Sequence, residues 1–387
     1  MKKLRYGMIG GGIGSMMGDV HIKAAQGAKD YVLVCGAFSR SPEKSLAFKN
    51  KLNYPELRLY PTFEEMLNQE AMLPEQERMQ VVSILTPNHL HFAAASQALR
   101  LGFHVILEKP ITLTLAEAKE LQVLASKYQR KVCVNYSYGG YTKVKEARHL
   151  IEQGLLGKIR KVEITFHQDW LYKAFEKDNP QAAWRTDPTQ SGLAGTTADL
   201  GTHAFYLAEY MTGLKITQLY ALIAMHVEGR KLDDDASVLL KFNNNATGII
   251  SVMQMAVGEN NLTISIYGNC STLKWEFNNR NLLKICTPIS SPQLFKPVKN
   301  VIFEDTKEME QDYQALATHY RNFAQDINAL SPTIQYPTLI DGIRGMAWIE
   351  AVIQSHLTQH WVNVEDILPI QEEIQDITEQ AYEAKLV

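Results

Sequence analysis

Leu4-Arg5-Tyr6-Gly7-Met8-Ile9, followed at once by Gly10-Gly11-Gly12-Ile13-Gly14-Ser15, is the stretch on which the reading of the fold turns. The first six residues form a short apolar strand. The next six are a glycine-rich turn. Residues Met16 to Gln26 then have the spacing of a helix, and Tyr31 to Phe38 reads as a second buried strand. In a strand–glycine turn–helix–strand series, the glycines let the backbone approach a pyrophosphate. The helix start adds free N–H groups and the positive end of a dipole. The fingerprint is altered: Gly10-x-Gly12-x-x places Ser15 where a third glycine is expected, and Gly12-x-Gly14-x-x-x-Gly18 is a looser match.

The alternation continues. Glu43 to Asn53 is helical, Thr62 to Asn68 resembles a capped short helix, and Glu70 to Gln80 is polar and reads as a loop or frayed helix. Val81 to Leu85 is a buried strand ending in Thr86-Pro87-Asn88-His89-Leu90-His91. A helix runs from His91 to Leu101, Leu113 to Tyr128 is a further helix, and Lys131 to Asn135 a further strand. A doubly wound parallel α/β domain over residues 1–136 follows, with its ligand edge at the carboxyl ends of the strands.

Two features bear on that edge. After the second strand, an NAD-binding fold tends to place an acid for the ribose hydroxyls. This chain has Ser39 and Arg40, with no acid until Glu43. An arginine there accepts a 2′-phosphate, which favours NADP over NAD; the alternative is a solvated residue at a helix start. The second feature is Val105-Ile106-Leu107-Glu108-Lys109-Pro110. Proline cannot donate to a ladder, so Lys109 falls at the strand's carboxyl end. Two readings stand: a surface lysine, or an amine in a shielded crevice able to take part in proton transfer.

Beyond residue 136 the βα alternation stops. Val144 to Glu152 is helical, and Ile159 to His167 alternates like an antiparallel strand. Ile216 to Val227, Ala236 to Phe242, Thr247 to Met255, Leu262 to Tyr267 and Thr272 to Phe277 are further strands, with Asn243-Asn244-Asn245 as a hairpin turn. The spacing predicts later helices over Asp312 to Leu330 and Thr338 to His356. Residues 137–364 therefore form an α+β domain with a large, mostly antiparallel open sheet, followed by an acidic tail, 365–387, expected to be helical. One face of that sheet is left available for self-association.

Within this domain a polar, glycine-rich loop carrying Trp184 and Arg185 leads into Thr196-Thr197-Ala198-Asp199-Leu200-Gly201-Thr202-His203. Asp199 and His203 are four apart, hence on one helical face. A carboxylate beside an imidazole suits general-base chemistry near neutral pH. A helix cap at Asp199 and a core histidine at His203 are the other reading. A zinc reading of Asp199, His203 and His167 lacks a sequence-close ligand cluster, so no metal is expected.

Composition sets the frame. A chain of 387 residues with net charge −3 gives no support to nucleic-acid or membrane binding. No apolar run approaches a membrane span, and Cys35, Cys133, Cys270 and Cys286 form no paired motif. A cytoplasmic protein with reduced thiols is expected.

Together these marks resemble the Gfo/Idh/MocA oxidoreductases. Glu108-Lys109-Pro110 and Asp199-x-x-x-His203 are the most specific. Thr86-Pro87-Asn88-x-x-His91, Gly154-x-Leu156-Gly157-x-Ile159 and Asp341-Gly342-x-Arg344 support them. The resemblance implies a Rossmann domain, a second domain with a large open sheet used in a homodimer or homotetramer, and a secondary hydroxyl of a sugar or cyclitol as substrate. It implies a catalytic trio of Lys109, Asp199 and His203. Cofactor contacts are expected from Gly10, Gly12, Ile13, Gly14, Ser39, Arg40, Thr86, Pro87, Asn88, His91, Glu108 and Lys109. Tyr141, Trp184 and Arg185 are expected to line the sugar pocket with Asp199 and His203. The alternative of a different class is an NAD(P)-binding regulator or scaffold without turnover. Cofactor-dependent elimination or glycoside cleavage, which begins with the same hydride step, is a third reading.

Overall fold

The computed structural model describes residues 3–287, 299–304, 308–330 and 333–368. They form two compact units.

In the first unit, β1 (Leu4–Gly10), β2 (Tyr31–Ala37), β3 (Arg58–Leu59), β4 (Val81–Leu85), β5 (His104–Leu107) and β6 (Val132–Val134) make one sheet. All pairings are parallel, in the order β3-β2-β1-β4-β5-β6. This is the doubly wound order, and its switch point lies between β1 and β4, where the crevice at the strand ends opens. The crossovers are α1 (Gly18–Ala28), α2 (Pro42–Leu52), α3 (Phe63–Met72), α4 (His91–Arg100) and α5 (Leu115–Lys127). Local chemistry starts them. Ser41 accepts the Lys44 N–H ahead of Pro42, Thr62 accepts the Glu65 N–H, and Thr114 with Glu117 forms a reciprocal capping box.

This unit is not continuous in the chain: it joins residues up to Gly140 with Asp312–Met346, whereas the sequence pattern predicts one stretch ending at residue 136. From the helix Asp312–Ile327, Leu316, Tyr320, Phe323 and Ala324 enter the same buried core as Leu4, Tyr6, Ile22, Ala24 and Tyr31. The stretch read as a polar loop, Glu70 to Gln80, proves different at its start. α3 runs on to Met72, and the Glu70 carboxylate is buried. It is gripped by the Arg58 guanidinium at 2.7 and 2.8 Å, the Tyr60 hydroxyl at 2.8 Å and the Met79 N–H at 2.9 Å. That full set of donors is what makes a buried carboxylate tolerable.

The second unit, Tyr141–Gln311 with Ala347–Leu368, begins with α6 (Thr142–Glu152) and β7 (Ile159–Gln168). Two short helices, α7 (Pro180–Arg185) and α8 (Pro188–Ser191), precede a π-helical turn over Thr197–Gly201 that runs into α9 (Thr202–Thr212). Then come β8 (Ile216–Ala224), β9 (Asp235–Phe242), β10 (Thr247–Met253), β11 (Asn260–Gly268), β12 (Thr272–Glu276), β13 (Leu282–Thr287), β14 (Lys299–Glu304) and β15 (Val362–Asn363). They build a nine-stranded sheet, β14-β13-β12-β11-β7-β10-β9-β8-β15. It is mostly antiparallel, as expected, with one correction. β7 is antiparallel to β11 but parallel to β10, because β10 returns along it after the β9–β10 hairpin. Asn245 has φ of +66° in that hairpin, a left-handed conformation asparagine tolerates, so the asparagine turn stands.

Alternation assigns the faces. Val162, Ile164, Phe166, Val238, Leu240, Ile250, Val252, Ile264 and Leu283 are buried, while Leu222 and Leu239 are exposed on the other side. Glu365 to Ile367 is a turn and Leu368 a bend; residues 369–387, the remainder of the tail expected to be helical, lie outside the described residues. Among the described residues no helix is long and apolar enough to cross a membrane.

Candidate active site

The carboxyl edge of the first unit is shaped by the turn after β1. Gly10, Gly11 and Gly14 have φ of +75°, +74° and +85°, which L side chains rarely adopt. A Cβ on Gly18 would lie 1.9 Å from the Gly11 carbonyl oxygen. Gly18 therefore does the work of the third glycine, letting α1 press onto the turn. The spacing predicts a helix from Met16; α1 begins two residues later because Ser15 closes an extra turn. The Ser15 N–H donates to the Gly12 carbonyl at 3.0 Å, and its Oγ accepts the Gly18 N–H at 3.2 Å. Ile13 is 55 % exposed at the tip, beside exposed Gly14.

After β2, the Ser39 hydroxyl accepts the Ser41 N–H at 3.2 Å. Arg40 is exposed. At the end of β4, Thr86 Oγ1 is buried and has no hydrogen-bond partner among the described residues. Pro87 is half-buried and Asn88 buried. His91 faces inward. Its ring nitrogens lie 2.8 Å from the Pro110 carbonyl and 2.9 Å from that of Thr86. Burial outweighs these bonds and lowers its pKa, so the neutral ring donates to one carbonyl at a time and ties the two loops together. His91 shapes the edge from within rather than presenting a nitrogen to a ligand. Lys109, following β5, is half-buried, neither a free surface lysine nor a core one.

Glu108 is buried, with Oε1 2.8 Å from His21 Nε2 and accepting from Asn135 Nδ2 as well. Burial would raise this carboxyl, but the His21 hydrogen bond and charge, the Asn135 amide and the Lys109 charge outweigh it and hold it at about 2.

The turn fits a dinucleotide on two observations of this chain: a cradle of glycines that a Cβ would obstruct, and an orphaned buried hydroxyl on Thr86 at the same edge. Gly10, Gly12, Ile13 and Gly14 would hold its phosphates. Among the described residues no group of three or more His, Cys, Asp or Glu is arranged to hold a metal.

The second unit gathers its own polar group. Asp199 is the third residue of the π turn, and His203 the second of α9. Asp199 is therefore not the helix cap considered above. That task falls to buried Asp233, whose carboxylate accepts the Gly195 N–H at 2.6 Å and the Thr197 N–H at 2.7 Å. Gly201 lets the turn lie against Trp348, since a Cβ there would come within 2.3 Å of the indole. Asp199 Oδ2 accepts from Gln254 Nε2 at 2.8 Å and lies 3.6 Å from Arg185 Nε. The Arg185 guanidinium sits 4.1 Å from the Trp184 ring centroid and 5.6 Å from that of Trp170, and donates to Gln181 Oε1 at 2.7 Å. His203 is buried, its ring 6.4 Å from Phe166.

The structure thus brings Trp184, Arg185 and Asp199 together. Tyr141 is buried, packed on Trp275 at 5.8 Å and Phe277 at 6.0 Å with Arg280 over its ring. Gln254, Asp233 and Trp170 were not anticipated. Their partners are far away in the chain, and only the acidic run Asp233-Asp234-Asp235 hinted at them.

A glycine cradle at the switch point of a doubly wound sheet, joined in the chain to an open-sheet unit with an Asp–His helix, defines a dinucleotide-dependent oxidoreductase. Residues 4–136 match the oxidoreductase family with an NAD-binding Rossmann fold, and residues 144–274 match the GFO/IDH/MocA C-terminal domain. The chain belongs to the Gfo/Idh/MocA oxidoreductase family. It is 31% identical over 376 residues to the uncharacterized oxidoreductase YfiI of Bacillus subtilis, covering 92% of this chain and 95% of that one. It is 26% identical over 313 residues to levoglucosan dehydrogenase of Pseudarthrobacter phenanthrenivorans, covering 74% and 76%. The crystal structure of an inositol dehydrogenase homolog from Azotobacter vinelandii complexed with NADH and myo-inositol aligns with TM-score 0.83 at 29% identity, covering 94% and 98%.

Proposed function

We propose that this protein transfers hydride between a nicotinamide dinucleotide and a secondary hydroxyl, or the corresponding ketone, of a sugar, sugar derivative or cyclitol. The observation that carries the reading is the half-buried Lys109 at the carboxyl end of β5, on the same sheet edge as the glycine turn. The relatives that act on levoglucosan or bind myo-inositol support the substrate class.

A bound nicotinamide supplies the hydride acceptor or donor. In the oxidising direction His203 takes the hydroxyl proton, acting as general base. Lys109 stabilises the negative charge that develops on the same oxygen. Asp199, held by Gln254 and Arg185, orients the substrate. Trp184 and Arg185 contribute to the sugar-binding wall, and Tyr141 supports it from the core. Thr86, Pro87 and Asn88 contact the nucleotide at the end of β4, and Ser39 and Arg40 receive its ribose, with Arg40 favouring a 2′-phosphate and hence NADP. The outer face of the nine-stranded sheet, with exposed Leu222 and Leu239, is the self-association surface.

The experiment is to incubate the protein with NAD or NADP and a panel of sugars and cyclitols, following nicotinamide absorbance. Lys109→Ala is expected to lose about 100-fold or more in kcat while retaining the dinucleotide, and His203→Ala to remove the acid-side limb of the pH–rate profile for oxidation. Near-normal kcat in Lys109→Ala, or an unchanged pH profile in His203→Ala, refutes these roles.

A further inference from the structure

Three buried polar side chains in the first unit have no task in the chemistry above: His21, Asn135 and Tyr320. His21 lies in the first turn of α1, directly after the glycine turn. One ring nitrogen is 2.8 Å from the Tyr320 phenol and the other 2.8 Å from Glu108 Oε1. Asn135, just beyond β6, donates its amide N–H to the same carboxylate oxygen. The Tyr320 phenol also lies 2.8 Å from Ser83 Oγ in β4, and its backbone carbonyl accepts the Tyr31 hydroxyl at 2.8 Å. One continuous buried chain thus connects α1, β2, β4, the ends of β5 and β6, and the helix Asp312–Ile327.

Placing a carboxylate this deep is costly unless every partner is in place. Glu108 Oε1 has two, the His21 ring nitrogen and the Asn135 amide, and Glu108 is the residue next to Lys109. Burial favours the neutral Tyr320 phenol, so its O–H remains a hydrogen-bonding group across the working pH range. A strand end whose lysine merely faced solvent has no physical need for such a foundation.

We infer that Glu108 is a positioning residue: the His21–Glu108–Asn135 clamp fixes the backbone and the negative charge beside Lys109, and through His21 ties the lysine's placement to the helix that follows the glycine turn. Glu108 then acts through Lys109. The inference rests on the proposed role of Lys109 at the substrate oxygen.

Glu108→Gln keeps the shape and removes the charge; Tyr320→Phe removes only the hydroxyl that steadies His21. Each variant is compared with wild type for thermal unfolding, dinucleotide affinity, kcat and KM. The rate at which an amine-specific reagent labels Lys109 in the apo protein is read by mass spectrometry. In folded Glu108→Gln, kcat is expected to fall about 10-fold or more with KM and dinucleotide affinity within about threefold, and Lys109 labelling to change about threefold or more. Tyr320→Phe is expected to shift kcat and labelling the same way by less, and it decides the question should Glu108→Gln fail to fold. Unchanged labelling and kcat in folded variants reduce the clamp to a structural role and overturn the inference. So does a large loss of dinucleotide affinity with kcat preserved at saturation. Near-normal turnover of Lys109→Ala in the same assays overturns the functional reading instead, and the labelling comparison still decides the clamp.

Discussion

Gly18 packs so closely on Gly11 that a Cβ on the former would lie 1.9 Å from the carbonyl oxygen of the latter. Backbone, not a pliable side chain, occupies that space, so Gly18→Ala forces α1 away from the turn. The expected cost is about 1–3 kcal/mol in unfolding free energy, together with weaker dinucleotide affinity. Gly14 is the contrasting control. Nothing lies within 4 Å of its would-be Cβ, but its φ is +85°. Gly14→Ala is therefore expected to cost about 1 kcal/mol from backbone strain alone. Chemical denaturation of both variants separates crowding from strain, and equal stability of Gly18→Ala and wild type contradicts the packing argument.

Acid stability provides a second test. The Glu108 carboxyl stands at about 2 in the folded protein against 4.5 ordinarily, so between those values the folded state binds fewer protons than the unfolded one. Stability rises with pH across that window, is fully present above it and is lost as pH falls through it. By about pH 3 this group alone withdraws roughly 2 kcal/mol. Glu70 is also lowered, its burial being outweighed by Arg58, the Met79 N–H and Tyr60, and it contributes in the same direction. Unfolding free energies measured from neutral to acid pH are expected to fall less steeply in Glu108→Gln than in wild type. Parallel curves would show that Glu108 is not the titrating group.

What was legible in the sequence follows from the range of the forces involved. The β1–glycine turn–α1–β2 series and the capped helices could be read because strand period, glycine conformation and capping act within a few residues. Gly18 was the looser of two glycine alternatives until the backbone showed what it touches. The parallel β7–β10 pairing was not legible, because alternation assigns faces to a strand and not neighbours. Nor was the clamp on Glu108, whose partners His21 and Tyr320 stand 299 residues apart in the chain. Asp199 and His203 stand out in the sequence by their spacing alone. The π turn carrying Asp199 does not, because its anchor, Asp233, lies 36 residues beyond Thr197.

That anchor leads to the last prediction. Asp233 is buried, and its two oxygens accept one N–H each, from Gly195 and Thr197, at the entry to the π turn. Burial raises its pKa and the two amides oppose the rise, so the site is a compromise that depends on both acceptors. Asp233→Asn changes one acceptor into an NH₂ facing an N–H, leaving a buried donor unsatisfied at a cost of about 1–3 kcal/mol. Gly195 cannot relieve this by moving inward, since even a Cβ there would lie 2.4 Å from the Asp233 carbonyl oxygen. The turn is therefore expected to shift, and Asp199 and His203 with it. Thermal unfolding should show a lower midpoint, and kcat should fall by about 10-fold or more at temperatures where the variant is still folded. Asp233→Ala leaves both amides unsatisfied and should be less stable than Asp233→Asn. Wild-type stability and turnover in Asp233→Asn would mean that the π turn holds its shape without the carboxylate, and that the packing of Gly201 on Trp348 is sufficient.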